Sequence, residues 1–319
     1  MKKVCIAAIL ALTLLALALP LRAYVVQMSR QGGEIVRHRW KPSAFPIVWR
    51  MNSVQGSNVT GGRSQGEVFA ASFAAWQSVS TASVSFTQGA DTSSATLNLT
   101  DNINLITTSP QSAGDLPPGV LALTFGAVYP SAGFDPQAQR TIDFAGQIGE
   151  ADIVFSASLP FTTSATAVSD RFDLQSVATH EIGHLLGLDH SPLVNATMFW
   201  SSARGYIYQR NVSSDDIAGL SLLYPSSLFA SKGKISGVVR TTSNQPVYGA
   251  VVVAVNVNGT PVATSITDPS GAYTIEGLDA GTYSVYAEPL DEPITINNLS
   301  SLVDVHGSSV NTSFTTRFR

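Results

Sequence analysis

A single cysteine, Cys5, occurs in 319 residues, and it falls among the first two dozen, so the remainder of the chain can form no disulfide. Stability must come from core packing and bound metal. Charge is scarce too: charged side chains make up 13% of the chain against 44% hydrophobic, and 18 Lys and Arg face 22 Asp and Glu, for a formal net charge of −4. With no basic stripe to follow a phosphate backbone, nucleic acid is excluded as a partner. Beyond the first residues no apolar run reaches the ~20 positions that a membrane-spanning helix needs, so stable membrane insertion is not expected. Internal repeats and charge runs are missing as well.

What is present begins with MKKVCIAAILALTLLALALPLRAY: two lysines, an apolar run, Pro20 and then the small Ala23. This order reads as a secretory signal peptide over residues 1–23, with a mature chain from Tyr24. Secretion follows, and the short Lys-Lys start points to bacterial export. The apolar content suffices for two domains.

Two regions of different periodicity follow. Between residues 24 and 225 strand and helix patterns mix: FPIVWRMN alternates from Phe45, and Val68, Phe69, Phe73 and Trp76 recur at helical spacing. The polar stretch 88–118 reads as loops around a weak strand, TLNLT, and GVLALTFGAVY and ADIVFSAS are further strands. SDDIAGLSLLYP reads as a closing helix ending at Pro225. SSLFASKGK serves as a linker, taken as 226–233. From 234 to 319 the period becomes two, in KISGVVR, AVVVAVNV, VATSIT, AYTIEG and TYSVYAE, separated by turns such as Asp268-Pro269-Ser270-Gly271. The expected architecture is α+β, followed by a small all-β sandwich.

Chemistry concentrates in HEIGHLLGLDH, which holds three of the five histidines, at His180, His184 and His190. Asp173 as N-cap and Gly187 as terminator frame a helix. On it His180 and His184 fall about 40° apart, and Glu181 lies about 60° beyond. Leu174, Val177, Ala178 and Leu185 share that flank, so the imidazoles face the protein. Gly187 can take positive φ and turn the chain so that His190 approaches from another direction. Three imidazoles suit one Zn²⁺ with a fourth position left for water, and Glu181, beside that position, suits a general base. Peptide-bond hydrolysis without a covalent intermediate is the reaction implied.

The same stretch, with Ser191 after the third histidine and then Met198, resembles the metzincin clan of zinc endopeptidases, and within it the matrixin-like proteins, over roughly Trp40 to Tyr224. The resemblance implies a twisted mixed sheet with an active-site helix and a C-terminal helix. It implies zinc on His180, His184 and His190, Glu181 as catalytic base, and Met198 supporting the metal from a turn beneath it. Asp215 and Asp216 match an acidic pair that binds that turn, although a plain helix N-cap explains them equally. Ala122, Leu123 and Thr124 match the strand along the cleft rim, against which an extended polypeptide substrate lies.

Departures accompany the match. Leu123 stands where animal matrixins carry a histidine for a second zinc, so one zinc ion is expected. A cysteine-switch pro-segment has no counterpart. Tyr206 and Tyr208 are weak candidates for a phenol near the oxyanion, and more readily pocket wall or core. Asp143, Glu150 and Asp152 are weak candidates for Ca²⁺, with solvated loop carboxylates the plainer reading. The tail resembles carboxypeptidase-regulatory-like, transthyretin-type sandwich domains, with Tyr273, Tyr283 and Tyr286 packing inside. An alternative function is surface binding or adhesion, in which the zinc merely braces the first domain and the sandwich holds a surface ligand.

Overall fold

The protein is described from a computed structural model covering residues 26–112, 114, 116–291, 293–306 and 310–318. The expected signal segment, with Cys5, lies outside the described residues.

The first unit is built on a five-stranded mixed sheet. Its spatial order is Phe86–Gln88, Ile47–Met51, Asn104–Thr107, Gln147–Phe155, Ala122–Tyr129. The first four strands run parallel, and Ala122–Tyr129 closes the edge antiparallel to Gln147–Phe155. Helix α1, Gln65–Gln77, starts in a capping box in which the Ser64 side chain and the Glu67 carboxylate each take the other's backbone N–H. Its apolar face packs on the sheet, with Trp49 stacked on Phe73 at 4.8 Å and Phe69 against Phe155 at 5.5 Å. Each such fully buried side chain contributes about 1.5–3 kcal/mol.

Helix α2, Leu174–Leu185, lies between α1 and the edge strand. Trp76 Nε1 donates to the Thr179 carbonyl at 2.8 Å, which locks the two helices together. At the far end, two carbonyls that a helix leaves unpaired are taken by Trp40 Nε1, on Leu185 at 2.8 Å, and the Tyr224 hydroxyl, on Leu186 at 2.7 Å. Helix α3, Ser214–Leu223, closes the unit.

The C-terminal strands pair as expected: Gly233–Val238 with Ala272–Leu278, and Pro261–Ile266, Val251–Asn256, Tyr283–Glu288 and Arg317–Phe318 in a second sheet. Val252, Ala254, Ala263, Ile275 and Leu278 fill the core between them, and Ala218 of α3 joins it. The sandwich therefore packs directly onto the first unit.

One expectation is corrected. TLNLT is no strand, because Asn98 Oδ1 accepts from the amide and hydroxyl of Thr100 and folds the backbone into a local turn; the strand is Asn104–Thr107. The linker contains a 3₁₀ turn, Ser227–Ser231. After the last long strand of the sandwich the chain adds a turn at Ile296–Asn298 and helix α4, Ser300–His306.

Candidate active site

Helix α2 begins at Asp173, whose carboxylate accepts from the Ser176 amide at 2.7 Å. Arg210 clamps the same carboxylate with two guanidinium nitrogens, so a charge only 2% exposed is neutralised. The helix ends in a Schellman turn: Gly187 N donates to His184 O and Leu188 N to Gly183 O, both at 2.9 Å, with Gly187 at φ +90°. That reversal brings His190 round to face His180 and His184.

The three side chains offer ligand atoms that all lie within 4.8 Å of one another. Each ring is held by its Nδ1: His180 on the Thr197 carbonyl at 2.8 Å, His184 on Leu188 at 2.8 Å, His190 on Asn298 at 2.7 Å. A carbonyl can only accept, so each Nδ1 carries the proton and each Nε2 keeps its lone pair. Burial, with the neighbouring histidines, drives His180 well below its ordinary pKa and lowers His184 to about 3, which keeps both rings neutral. Three imidazole nitrogen donors, oriented through their outer nitrogens, fit a zinc ion.

Glu181 leaves the same helix turn and is 5% exposed. Burial raises its pKa to about 7, against the downward pull of the Thr124 hydroxyl, which lies 2.7 Å from Oε2 and 2.9 Å from the Glu181 carbonyl. Thr124 belongs to the edge strand, so one side chain ties helix, carboxylate and cleft rim together. Ala122 and Leu123 precede it on that strand.

Met198 is buried beneath α2, where a Cβ on Gly183 would come within 2.2 Å of its sulfur; the glycine lets turn and helix approach. The turn is fixed by Asp216, which accepts from the amides of Thr197 at 2.8 Å and Met198 at 3.2 Å while also completing the capping box of α3 with Ser213. The N-cap itself is Ser213, so Asp216 serves the helix start from the third helical position and not as the cap. Asp215 goes elsewhere, accepting from the Ser191 hydroxyl at 2.6 Å and from the amide and hydroxyl of Thr264 in the sandwich.

A cavity of about 360 Å³ opens beside the histidines, with Leu121, Val177, Glu181, Phe199, Trp200 and Gln209 among its walls. Tyr206 and Tyr208 are neither core nor wall: they are exposed and pack edge to face on each other. Gln209 takes the inward place, with Nε2 on the Thr197 carbonyl at 3.2 Å. No short pattern marks Gln209 or Arg210 in the sequence.

The three acids proposed for calcium divide. Asp143 is exposed and pairs with Lys41 at 3.5 Å. Glu150 and Asp152 are buried on strand Gln147–Phe155, not solvated in loops. Arg140 pairs with Glu150, and Asp152 accepts from the Asn98 and Leu105 amides at 3.0 and 2.9 Å. Burial pushes Asp152 up to about 7.

A family profile described as Matrixin matches residues 39–225, and one described as Carboxypeptidase regulatory-like domain matches residues 234–291. The chain is similar to Metalloendoproteinase 1 of Glycine max, at 45% identity over 75 residues, 24% of this chain and 24% of that protein. It is 29% identical over 157 residues to Metalloendoproteinase 2-MMP of Arabidopsis thaliana, covering 49% of this chain and 36% of the relative. Matrilysin of Mus musculus is 45% identical over 47 residues, 15% of this chain and 18% of that protein. In each case the match spans well under half of the relative's length.

Proposed function

The chain belongs to the matrixin family, and from that premise we propose that it is an exported zinc-dependent endopeptidase cutting extended polypeptides. The observation that carries this reading is the convergence of three imidazoles, each with its Nδ1 on a carbonyl, beside a buried carboxylate. His180, His184 and His190 would hold one zinc ion through Nε2. When bound, zinc supplies a Lewis acid that lowers the pKa of a water toward ~7 and polarises the scissile carbonyl.

The remaining work belongs to the chain. Glu181, held near neutrality by burial, takes the proton from the attacking water and later returns it to the leaving amine. The Thr124 hydroxyl fixes the carboxylate so that one oxygen stays turned toward the cleft. Among the described residues the outer edge of Ala122–Tyr129 has no partner strand, which suits a substrate backbone added antiparallel beside Ala122, Leu123 and Thr124. The cavity walled by Val177 and Phe199 would take one apolar side chain next to the scissile bond. Met198 braces the ligands from below and takes no part in the proton transfers. No described helix is long and apolar enough to cross a membrane.

Glu181→Gln tests the mechanism. The variant is expected to keep stoichiometric zinc and its melting temperature while losing about 10²–10⁴ in kcat on an unstructured protein. Undiminished cleavage would remove the mechanism; zinc-free wild-type protein would remove the peptidase reading altogether.

A further inference from the structure

Of the three carbonyls that orient the histidines, two belong to the first unit. Leu188 is set by the Schellman turn, and Thr197 is anchored through Asp216 and Gln209. The third, Asn298, lies 108 residues beyond His190, past the stretch that matches the carboxypeptidase regulatory-like profile. We propose that residues 293–306 form a strap that completes the metal site, with the Asn298 carbonyl acting as the positioning group for His190. The proposal rests on the zinc reading above.

The strap is pinned along its length. Trp200 Nε1 donates to Pro293 O at 2.9 Å, and Arg30 donates to Val305 O at 2.8 Å at the other end. Between them, Asp189 uses its two oxygens on two different segments: one accepts from the His190 amide at 2.8 Å, the other from the Ser301 amide at 3.2 Å at the start of α4. The loop that carries the third ligand and the strap that orients it are thus joined by one carboxylate. Ile294, Leu299, Leu302 and Val305 are buried in a cluster that includes Val26 and Met28 of the first unit. The turn itself is rigid, since Asn298 Oδ1 accepts from the Thr295 amide at 2.8 Å and its hydroxyl at 3.1 Å.

The need for such a partner follows from where His190 sits. His180 and His184 are fixed by their helix, whereas His190 lies on the loop beyond it. Without the Asn298 carbonyl its ring could turn and could carry the proton on Nε2, the nitrogen the metal needs. A carbonyl on Nδ1 selects the binding tautomer and raises the basicity of Nε2. The strap therefore makes tight metal binding depend on docking of the C-terminal unit.

The test is the zinc dissociation constant of the full-length protein, measured by competition with a chromophoric chelator, together with the absorption spectrum of the Co²⁺-substituted form. Leu302→Asp places a charge where the strap packs, and is expected to weaken zinc binding about 10- to 100-fold and to alter the Co²⁺ spectrum. Should that variant not fold, the double variant Arg30→Ala, Trp200→Phe, which removes two pins and no core side chain, decides the matter with about a 3- to 10-fold loss expected. Binding within about twofold of wild type with an unchanged Co²⁺ spectrum, in a folded variant, overturns the strap and leaves the peptidase reading standing. Wild-type protein that takes up no zinc overturns both.

Discussion

Gly187→Ala should damage the site more than one methyl group suggests. A Cβ built at Gly187 would lie 2.3 Å from the His38 carbonyl oxygen and 3.2 Å from its carbon, where ordinary contact begins near 3.4 Å. That carbonyl cannot retreat freely, because its segment is held by His38 N on Gln27 O and Arg39 N on Gly146 O, and Gln27 N in turn bonds Gly187 O. Alanine at φ +90° costs about 1–2 kcal/mol by itself. Forcing backbone apart adds about 1–3 kcal/mol. The smaller entropy of the unfolded alanine chain returns only about 0.4–1 kcal/mol. The net loss is about 2–4 kcal/mol, or roughly 3–6 °C in Tm for a protein of this size. Leu188, whose carbonyl orients His184, and His190 both follow the altered residue, so two of the three rings must move. Scanning fluorimetry on zinc-loaded and zinc-free protein is the assay, and the larger drop is expected in the loaded form. A variant that melts within about 2 °C of wild type in both forms and binds zinc equally would refute the claim that this position is closed to a side chain.

Further outcomes follow from the same contacts. Arg210→Ala strands the buried Asp173 carboxylate at the head of α2 and should cost about 3 kcal/mol in denaturant titration; a loss below about 1 kcal/mol would mean solvent reaches that charge. Burial, with Asp216 adding repulsion, raises Asp215 to about 6 from an ordinary 3.8, so the stability tied to its protonated form is complete below about pH 4 and lost as pH rises through 6. Asp215→Asn should remove up to about 3 kcal/mol of that dependence, read as the difference between variant and wild-type denaturation midpoints from pH 4 to 7, and parallel profiles would contradict it. Stripping the metal with a chelator should lower Tm in proportion to occupancy, by about 4 kcal/mol of stability at a thousandfold excess over Kd, with recovery on adding zinc; an unchanged Tm would mean that no ion couples to folding.

What could be read from the sequence was what neighbouring residues decide among themselves. The helical spacing of Val68, Phe69, Phe73 and Trp76 gives α1 and its buried face. The spacing of His180 and His184, with Gly187 after them, predicts rings on one face and a reversal behind them, and the helix has both. TLNLT shows the limit: its alternation suits a strand, yet a side-chain oxygen two residues away offered Thr100 a nearer partner. Glu150 and Asp152 look like surface acids because strand position says nothing of burial, which here depends on Arg140 and on amides some fifty residues upstream.

The groups that hold the histidines were hidden for a different reason. Main-chain carbonyls carry no residue identity, so neither Thr197 nor Leu188 nor Asn298 could be singled out as a partner. The tail poses the same difficulty on a larger scale: a period of two says that strands will pair, but not which surface the finished sandwich will cover. The acidic pair at the head of α3 supplies the missing connection. Asp216 turns toward the Met198 loop and Asp215 toward Thr264, so one helix terminus fixes the support beneath the histidines and the seat of the sandwich. A displacement of the sandwich must therefore reach the histidine cluster along two routes, through α3 to Met198 and through the strap to His190.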